Sequence, residues 1–266
     1  MALWHLILLA LIQGVTEFLP ISSSGHLILL PMLTGMEDQG TALDIALHLG
    51  TLGAVVLYFR TDVARALSGT WGLLRRRWGP DERLAAALAI ATIPVILAGF
   101  VLKFTIGPEA LRSVAVIGWA TTGFGLLLWW FDRHGAQTRE IGDWTLGQAL
   151  RLGLWQAIAL IPGTSRSGIC ITGARAMGFA REDAARIAML MSIPTILASG
   201  ALLVLDVAGD ADGALLHDAA IAALLSFFAA LGALALMMRL LRSVSFTPYV
   251  IYRLALGVFL LGWAYL

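Results

Sequence analysis

The chain has 266 residues, 59% of them apolar and only 13% charged, with a mean hydropathy of +0.85. A soluble domain is nearer half apolar and one quarter charged, so polar surface is too scarce here to wrap one water-soluble core, and the apolar excess faces lipid. Eighteen Lys plus Arg against 17 Asp plus Glu, a net charge of +1, exclude a charge-driven nucleic-acid binder, and the lone Cys170 excludes an intramolecular disulfide or a multi-Cys zinc site.

A membrane-crossing helix needs roughly 20 mostly apolar residues. The first apolar stretch, Leu3–Pro31, is too long for one crossing and too interrupted by Ser, Gly and Pro for two. Its start, Met1 to Leu11, carries no Lys or Arg and so lacks the basic region of a signal peptide. A helix–loop–helix hairpin over about 3–35, dipping into the bilayer and returning, accounts for the pattern if protein or water surrounds its exposed backbone. Three uninterrupted spans follow, Thr41–Phe59, Leu84–Lys103 and Arg112–Phe131. The stretch Trp144–Gly178 is again broken and predicts a second hairpin, and Asp183–Leu205, Asp218–Leu240 and Thr247–Leu266 complete the spans. The expected fold class is an all-α polytopic membrane protein, one integral membrane domain over residues 1–266, with six transmembrane helices and two re-entrant helix hairpins.

Lys and Arg set the orientation. The loop after Phe59 holds Arg60, Arg65, Arg75, Arg76, Arg77 and Arg83 and is assigned to the cytoplasm. That puts Lys103–Arg112 outside, Arg133–Arg139 inside, and the loop Asp206–Asp218, with four aspartates and no Lys or Arg, outside. Both termini then lie outside, and the alternation closes only if each broken segment re-enters on its own side. The broken segments also match each other. Setting Gln13 on Gln156, an offset of 143 residues, pairs Ser22 with Ser165, Ser24 with Ser167 and Gly25 with Gly168. With repeat 1 at about 3–60 starting outside and repeat 2 at about 144–206 starting inside, this is an inverted-topology repeat, whose broken helices typically meet near the bilayer midplane.

The first hairpin tip reads QGVTEFLPISSSGHL, Gln13 to Leu27. Glu17 lies within an apolar helix, where a carboxylate is costly and by default functional. Gln13 is one turn earlier on the same face. Ser22, Ser23, Ser24 and Gly25 supply hydroxyls and closely approachable backbone, and His26 follows. The second tip, PGTSRSG, holds Ser165, Arg166, Ser167 and Gly168. The Arg166 guanidinium suits bidentate capture of a phosphate, with neutralisation of Glu17 across the tips as its structural alternative. Short helices expected to begin near His26 and Ile169 would aim unpaired N–H groups at the tips, making both loops anion receivers. For Ser22 and Ser165 plain N-capping is an equal expectation. An acid, an imidazole, hydroxyls, an arginine and two helix N-termini suit a phosphoryl group. No Walker loop, GxGxxG or HExxH occurs.

These residues resemble the undecaprenyl-diphosphate phosphatase, or bacitracin-resistance protein, family. The likeness runs end to end, through QGVTEFLPISSSGH, DIALHLGTLGAVVLYF, PGTSRSG and the closing SFTPYVIYR. It implies removal of the terminal phosphate from a C55 polyprenyl diphosphate, recycling the lipid carrier of peptidoglycan synthesis. It also implies a divalent cation, Mg²⁺ or Ca²⁺, and a site facing the periplasm in the bacterial inner membrane. By position, Gln13 and Glu17 fill the family's (E/Q)xxxE motif, Ser23 and His26 its hydroxyl and imidazole, and Arg166 its arginine. Glu17 is left as the main anionic metal ligand or base, because Gln13 is neutral. Where the second motif has Thr, this chain has Cys170; either that hydroxyl is dispensable or Thr172 supplies it.

The expected catalytic set is thus Glu17, Ser23, His26 and Arg166. Gln13, Ser22, Ser24, Gly25, Ser165, Ser167, Gly168 and Thr172 are the expected substrate-binding set. Ser23, His26 or an activated water each remains open as nucleophile. The rival class is a transporter or flippase of polyprenyl phosphate, which keeps the Arg166 clamp but has no need of a hydroxyl and imidazole beside a carboxylate. Expected partners are the polyprenyl diphosphate lipid and the membrane, with no nucleic acid and with a homo-oligomer left open. Asp44 and His48, four apart, share a helix face; the pair suits a metal, but polar packing between helices is the expected role. Trp4, Trp71, Trp78, Trp129, Trp130, Trp144 and Trp263 fall near span ends, as an interfacial belt requires.

Overall fold

The computed structural model describes residues 2–35, 39–105, 107, 111–207 and 213–266. Among these the structure is helical, with one isolated bridge between Arg139 and Phe179. The helices are α1 (Leu3–Phe18), α2 (Ser23–Thr34), α3 (Gly40–Tyr58), α4 (Arg60–Leu74), α5 (Pro80–Thr105), α6 (Val114–His134), α7 (Leu146–Ala157), α8 (Arg166–Ala176), α9 (Arg181–Val207), α10 (Gly213–Leu240) and α11 (Thr247–Tyr265). Six of them, α3, α5, α6, α9, α10 and α11, are long and apolar enough to cross a bilayer. The chain is an all-α, multi-pass membrane protein.

The helices overrun the apolar spans where polar turns continue them. In α5 the start moves from Leu84 back to Pro80, because Pro80 suits a first helical position and Asp81 and Glu82 oppose the helix dipole in the first turn. The Arg-rich segment after Phe59, expected as a loop, forms α4 instead. Its Asp62 lies in the first turn, buried, and accepts from Arg186 of α9 through Nε at 2.8 Å and Nη2 at 2.6 Å. Leu67, Trp71 and Leu74 stay exposed on the same helix. Trp4, Trp71, Trp78, Trp130 and Trp263 are exposed as a belt requires, but Trp144 is packed into the core. Asp210 and Asp212 of the acidic loop, and residues 106 and 108–110 of the Lys103–Arg112 loop, lie outside the described residues.

Both broken segments are helix–turn–helix pairs, and proline breaks each. Pro20 forces Leu19 into extended backbone (φ −66°, ψ 142°), ending α1, and Pro162 does the same to Ile161 (φ −79°, ψ 118°) after α7 and a 3-10 turn at Ile158–Leu160. A capping box starts α7: Thr145 Oγ1 accepts from Gln148 N at 3.3 Å, and Gln148 Oε1 from Thr145 N at 2.9 Å.

The helix α1 packs on α10, and α7 packs on α5; α3 and α9 lie against each other between these pairs, and α6 lies along α11. Contact between α1 and α10 is backbone-close, since a Cβ on Gly14 would fall 2.5 Å from Ala229 Cβ and 2.8 Å from Ser226 O. Small residues permit such approaches between helices in lipid, where packing rather than water exclusion drives association. The main core runs from Phe18 and Leu52 through Leu152 and Ile171 to Leu190, so the inner ends of both helix pairs are embedded in protein.

Candidate active site

The two turns meet. Each ends on a serine held at positive φ, Ser22 (76°) and Ser165 (70°). Such backbone is unfavourable for a side chain bearing a Cβ, by about 1–3 kcal/mol, and persists where the surroundings over-determine it. Here each serine is the cap of the helix that follows. Ser22 Oγ accepts from Gly25 N at 3.3 Å, and Ser165 Oγ from Gly168 N at 3.1 Å. The caps move the helix starts three residues ahead of the expected His26 and Ile169, to Ser23 and Arg166. Ser23 and Arg166 are therefore equivalent, each the first residue of its helix after the capping serine.

Cross-tip bonds lock the turns together. Ser167 Oγ donates to Leu19 O at 3.0 Å. Gly163 has φ +89° and no room for a side chain, since a Cβ would sit 2.6 Å from Ile117 O of α6. A Cβ on Gly25 would lie 3.6 Å from the Gly163 Cα, so the two loops touch through their glycines. The strongest tie is Arg253 of α11, fully buried. Its Nη1 donates to Pro20 O at 3.1 Å in the first turn, and its Nη2 donates to Gly163 O at 3.1 Å and Thr164 O at 3.0 Å in the second. Its Nε donates to Thr121 O of α6 at 3.1 Å.

At this joint two of the expected catalytic residues, Ser23 and Arg166, converge on a third, Glu17, which is 6% exposed. Gln13 Nε2 donates to Glu17 Oε2 at 3.0 Å, and Ser23 Oγ donates to the same oxygen at 2.6 Å. The other oxygen, Oε1, pairs with Arg166 Nη2 from the opposite tip. Two buried atoms have no protein partner here, Gln13 Oε1 and Arg166 Nη1. One is an acceptor and one a donor, at the two ends of the cluster. Four residues thus form a linked set: an acid, its amide neighbour, a hydroxyl aimed at the acid, and a guanidinium with one arm committed and one free.

His26 is turned elsewhere. Its Nδ1 lies 2.6 Å from its own Ser22 O and its Nε2 lies 2.5 Å from Tyr252 Oη, with the two rings stacked at 5.7 Å. Because a carbonyl only accepts, Nδ1 carries the proton, and the imidazole faces α11 rather than Ser23. Of the expected binding residues, Ser24 is exposed beside Ser22, with their hydroxyls 3.4 Å apart, and Ser167 hydroxyl is 3.1 Å from Ser165 Oγ. Thr172 is not brought to the cluster: it is fully buried, and its hydroxyl donates to Gly168 O of its own helix at 2.7 Å. Cys170 is buried too, its thiol 3.8 Å from Gln156 Oε1.

Three further residues adjoin the cluster and the turns. His48, expected as interhelical packing, brings Nε2 to 3.8 Å from Glu17 Oε2, with Asp44 behind it through its carbonyl at 2.7 Å from Nδ1. Arg253 was legible only as part of the closing SFTPYVIYR, although an arginine inside an apolar span is a signal in its own right. Tyr252, its neighbour, gave no signal, since a tyrosine near a span end is ordinary.

A family model described as bacitracin resistance protein BacA matches residues 6–259. The chain is 66% identical to the undecaprenyl-diphosphatase of Ruegeria pomeroyi and 63% identical to that of Dinoroseobacter shibae, each over the whole of both chains. It is 44% identical to the undecaprenyl-diphosphatase of Saccharophagus degradans, over 99% of both.

Proposed function

We propose a mechanism from one premise: the chain belongs to the bacitracin resistance protein BacA family and is an undecaprenyl-diphosphatase. It hydrolyses undecaprenyl diphosphate to the monophosphate and inorganic phosphate, which recycles the lipid carrier and underlies bacitracin resistance. The observation that carries the mechanism is the 2.6 Å hydrogen bond from Ser23 Oγ to Glu17 Oε2, with Arg166 of the other tip on the second carboxylate oxygen. A carrier that only moves the lipid has no use for a hydroxyl held on a buried carboxylate.

The diphosphate head enters between the tips, and the prenyl tail stays in lipid. The free Nη1 of Arg166 and the N–H groups at the starts of α2 and α8 receive the phosphate oxygens. Ser23 Oγ attacks the terminal phosphorus as Glu17 takes its proton. The anhydride P–O bond breaks, and the polyprenyl monophosphate leaves with the bond's electron pair. Glu17 passes that proton to the departing monophosphate oxygen, then takes a proton from water, whose oxygen attacks phosphorus and displaces Ser23; Glu17 returns this proton to Ser23 Oγ, releasing inorganic phosphate and restoring the hydroxyl. Arg166 and the helix ends stabilise the charge that develops on the leaving oxygen. His26 holds Tyr252 and the Ser22 carbonyl and stands outside the proton transfer.

The donors present fit a divalent cation shared with the substrate. Mg²⁺ and Ca²⁺ take oxygen ligands, and Mg²⁺ commonly uses one or two carboxylates plus substrate phosphates. Glu17 and the unpartnered Gln13 Oε1 are such donors, and these two residues would hold it. When bound, the cation neutralises charge on the diphosphate. Supporting an inverted repeat are the matched positive-φ serine caps and the exchanged packing of α1 on α10 with α7 on α5. On that reading the pairs α1–α2 and α7–α8 are re-entrant hairpins in the inner membrane, the site faces the periplasm and both termini lie outside. The Arg75–Arg77 run supports this orientation.

The test is phosphate release from polyprenyl diphosphate by purified protein in detergent. Ser23→Ala is expected to abolish it and His26→Ala to leave a measurable rate. Release by Ser23→Ala within tenfold of the unaltered protein would make water or His26 the nucleophile instead.

A further inference from the structure

We propose that His48 is a nitrogen ligand of the cation held at Glu17, so that this chain's site takes a first-row divalent ion more tightly than oxygen donors alone would. The inference rests on the cation reading above and adds to it a residue and a selectivity.

The orientation of the ring carries the inference. His48 Nδ1 lies 2.7 Å from Asp44 O, one turn back on α3. That carbonyl can only accept, so Nδ1 bears the proton and Nε2 is left with its lone pair. A histidine whose far nitrogen donates to a backbone carbonyl is the usual preparation of a metal-binding imidazole, because the bond fixes both tautomer and ring direction. Nε2 points at Glu17 Oε2 from 3.8 Å, beyond hydrogen-bond reach. Two acceptors facing each other across that gap are what a shared cation holds together.

A third donor is at hand. Gln13 now offers Nε2 to Glu17 Oε2, while its Oε1 is buried and unpartnered. A half-turn of that amide exchanges donor for acceptor and leaves Oε1 toward the same point. Glu17 Oε2, Gln13 Oε1 and His48 Nε2 then present two oxygens and one nitrogen. Among the described residues no three His, Cys, Asp or Glu side chains converge, so the protein does not close the coordination sphere. An incomplete sphere is what a catalytic ion needs if substrate oxygens and water are to complete it. Access is consistent with this, since the His48 side chain is 37% exposed where Glu17 is nearly covered. Imidazole suits later first-row divalent ions, whereas an all-oxygen set suits Mg²⁺ and Ca²⁺.

The experiment uses the full chain in detergent, loaded with Mn²⁺ without substrate, and reads electron spin-echo modulation from ¹⁴N together with the Mn²⁺ affinity. The unaltered protein and His26→Ala should both show imidazole ¹⁴N modulation. His48→Gln should lose the modulation and bind Mn²⁺ roughly tenfold more weakly, as expected for deletion of one ligand contact of about 1.4 kcal/mol. Glu17→Ala should lose the Mn²⁺ site altogether. Bound Mn²⁺ that depends on Glu17 but shows no ¹⁴N modulation, or modulation that survives His48→Gln, overturns the assignment of His48 while leaving the oxygen-ligated cation intact. Absence of any Glu17-dependent Mn²⁺ overturns both.

Discussion

Arg253→Lys isolates what the joint between the tips contributes. Arg253 is fully buried, keeps its charge in the variant, and spends its donors on backbone carbonyls from three separate segments. The Thr121 and Ala120 carbonyls belong to α6 and have the helical ladder, but those of Pro20 and Thr164 lie in the two turns. A lysine has one nitrogen and three donors, and cannot reach both turns and α6 from one position. Stranding two buried turn carbonyls at about 1–3 kcal/mol each predicts a loss of about 2–6 kcal/mol, seen as a lower melting temperature in detergent. Catalysis should suffer separately. Ser23 and Glu17 sit on the first tip and Arg166 on the second, and a misplacement of about 1 Å between reacting groups can reduce the rate about a hundredfold. The control is Arg175→Lys at the far end of α8. Arg175 is equally buried and donates to the carbonyls of Ala136, Asp132 and Gly135, none of them at the tips. Phosphate release measured well below both melting temperatures should show kcat about a hundredfold down in Arg253→Lys and near normal in Arg175→Lys. Equal kcat in the two variants would refute the idea that Arg253 acts by aligning the tips.

Two further outcomes are expected. Arg166→Lys keeps a positive charge beside Glu17 but loses the fork whose Nη1 is free for phosphate, so kcat/KM should fall by about 10- to 150-fold, the worth of one charge-assisted hydrogen bond of about 1.5–3 kcal/mol, with little change in melting temperature; an unchanged kcat/KM would remove Arg166 from phosphate binding. A reporter fused after Arg77 should be active only in its cytoplasmic form, and a periplasmic signal there would invert the proposed sidedness of the site.

The spans were legible because lipid imposes one rule, a long apolar run, and the six runs chosen on it are the cores of α3, α5, α6, α9, α10 and α11. Their ends were less legible, because polar first turns such as Pro80–Glu82 carry no apolar signal while still being helix. The site was legible where residue type alone implies cost. Glu17 and Arg166 are expensive at apolar depth, and they are found paired. His26 shows what residue type cannot convey: an imidazole three positions after Ser23 reads as its base, yet the capped first turn of α2 sends its ring to Tyr252. His48 shows the converse. Its partner is 31 positions away, on another helix, and no local spacing encodes that meeting. Of the two alternatives for the missing hydroxyl, supply by Thr172 is not what the structure shows, because a threonine inside a helix has a carbonyl four residues back within reach, and it takes it.

The division of labour between the tips has a physical logic. Ser23 and Arg166 fall on the same position in the Gln13/Gln156 register, the first residue after a positive-φ serine cap. A helix start presents one such side chain toward its ligand, along with its N–H groups. In the proposed mechanism two facing starts therefore bring two different side chains and two partial positive charges onto one phosphate, which a single turn cannot do. The register also pairs Glu17 with Leu160, His26 with Ile169 and His48 with Met191. Every proton-accepting or metal-binding group proposed here thus lies on the first tip or on α3, and the second tip contributes the Arg166 guanidinium. Leu160 itself packs towards α5, where a Cβ on Gly99 would lie 3.8 Å from its Cδ2. The counterpart glutamine, Gln156, is accordingly free to serve structure: its Nε2 donates to Ala91 O at 3.3 Å, and its Oε1 accepts from Thr195 Oγ1 at 3.3 Å. Two nearly identical turns are thereby made chemically opposite, and the bond between them, Glu17 to Arg166 Nη2, leaves Nη1 free for the phosphate of the proposed mechanism.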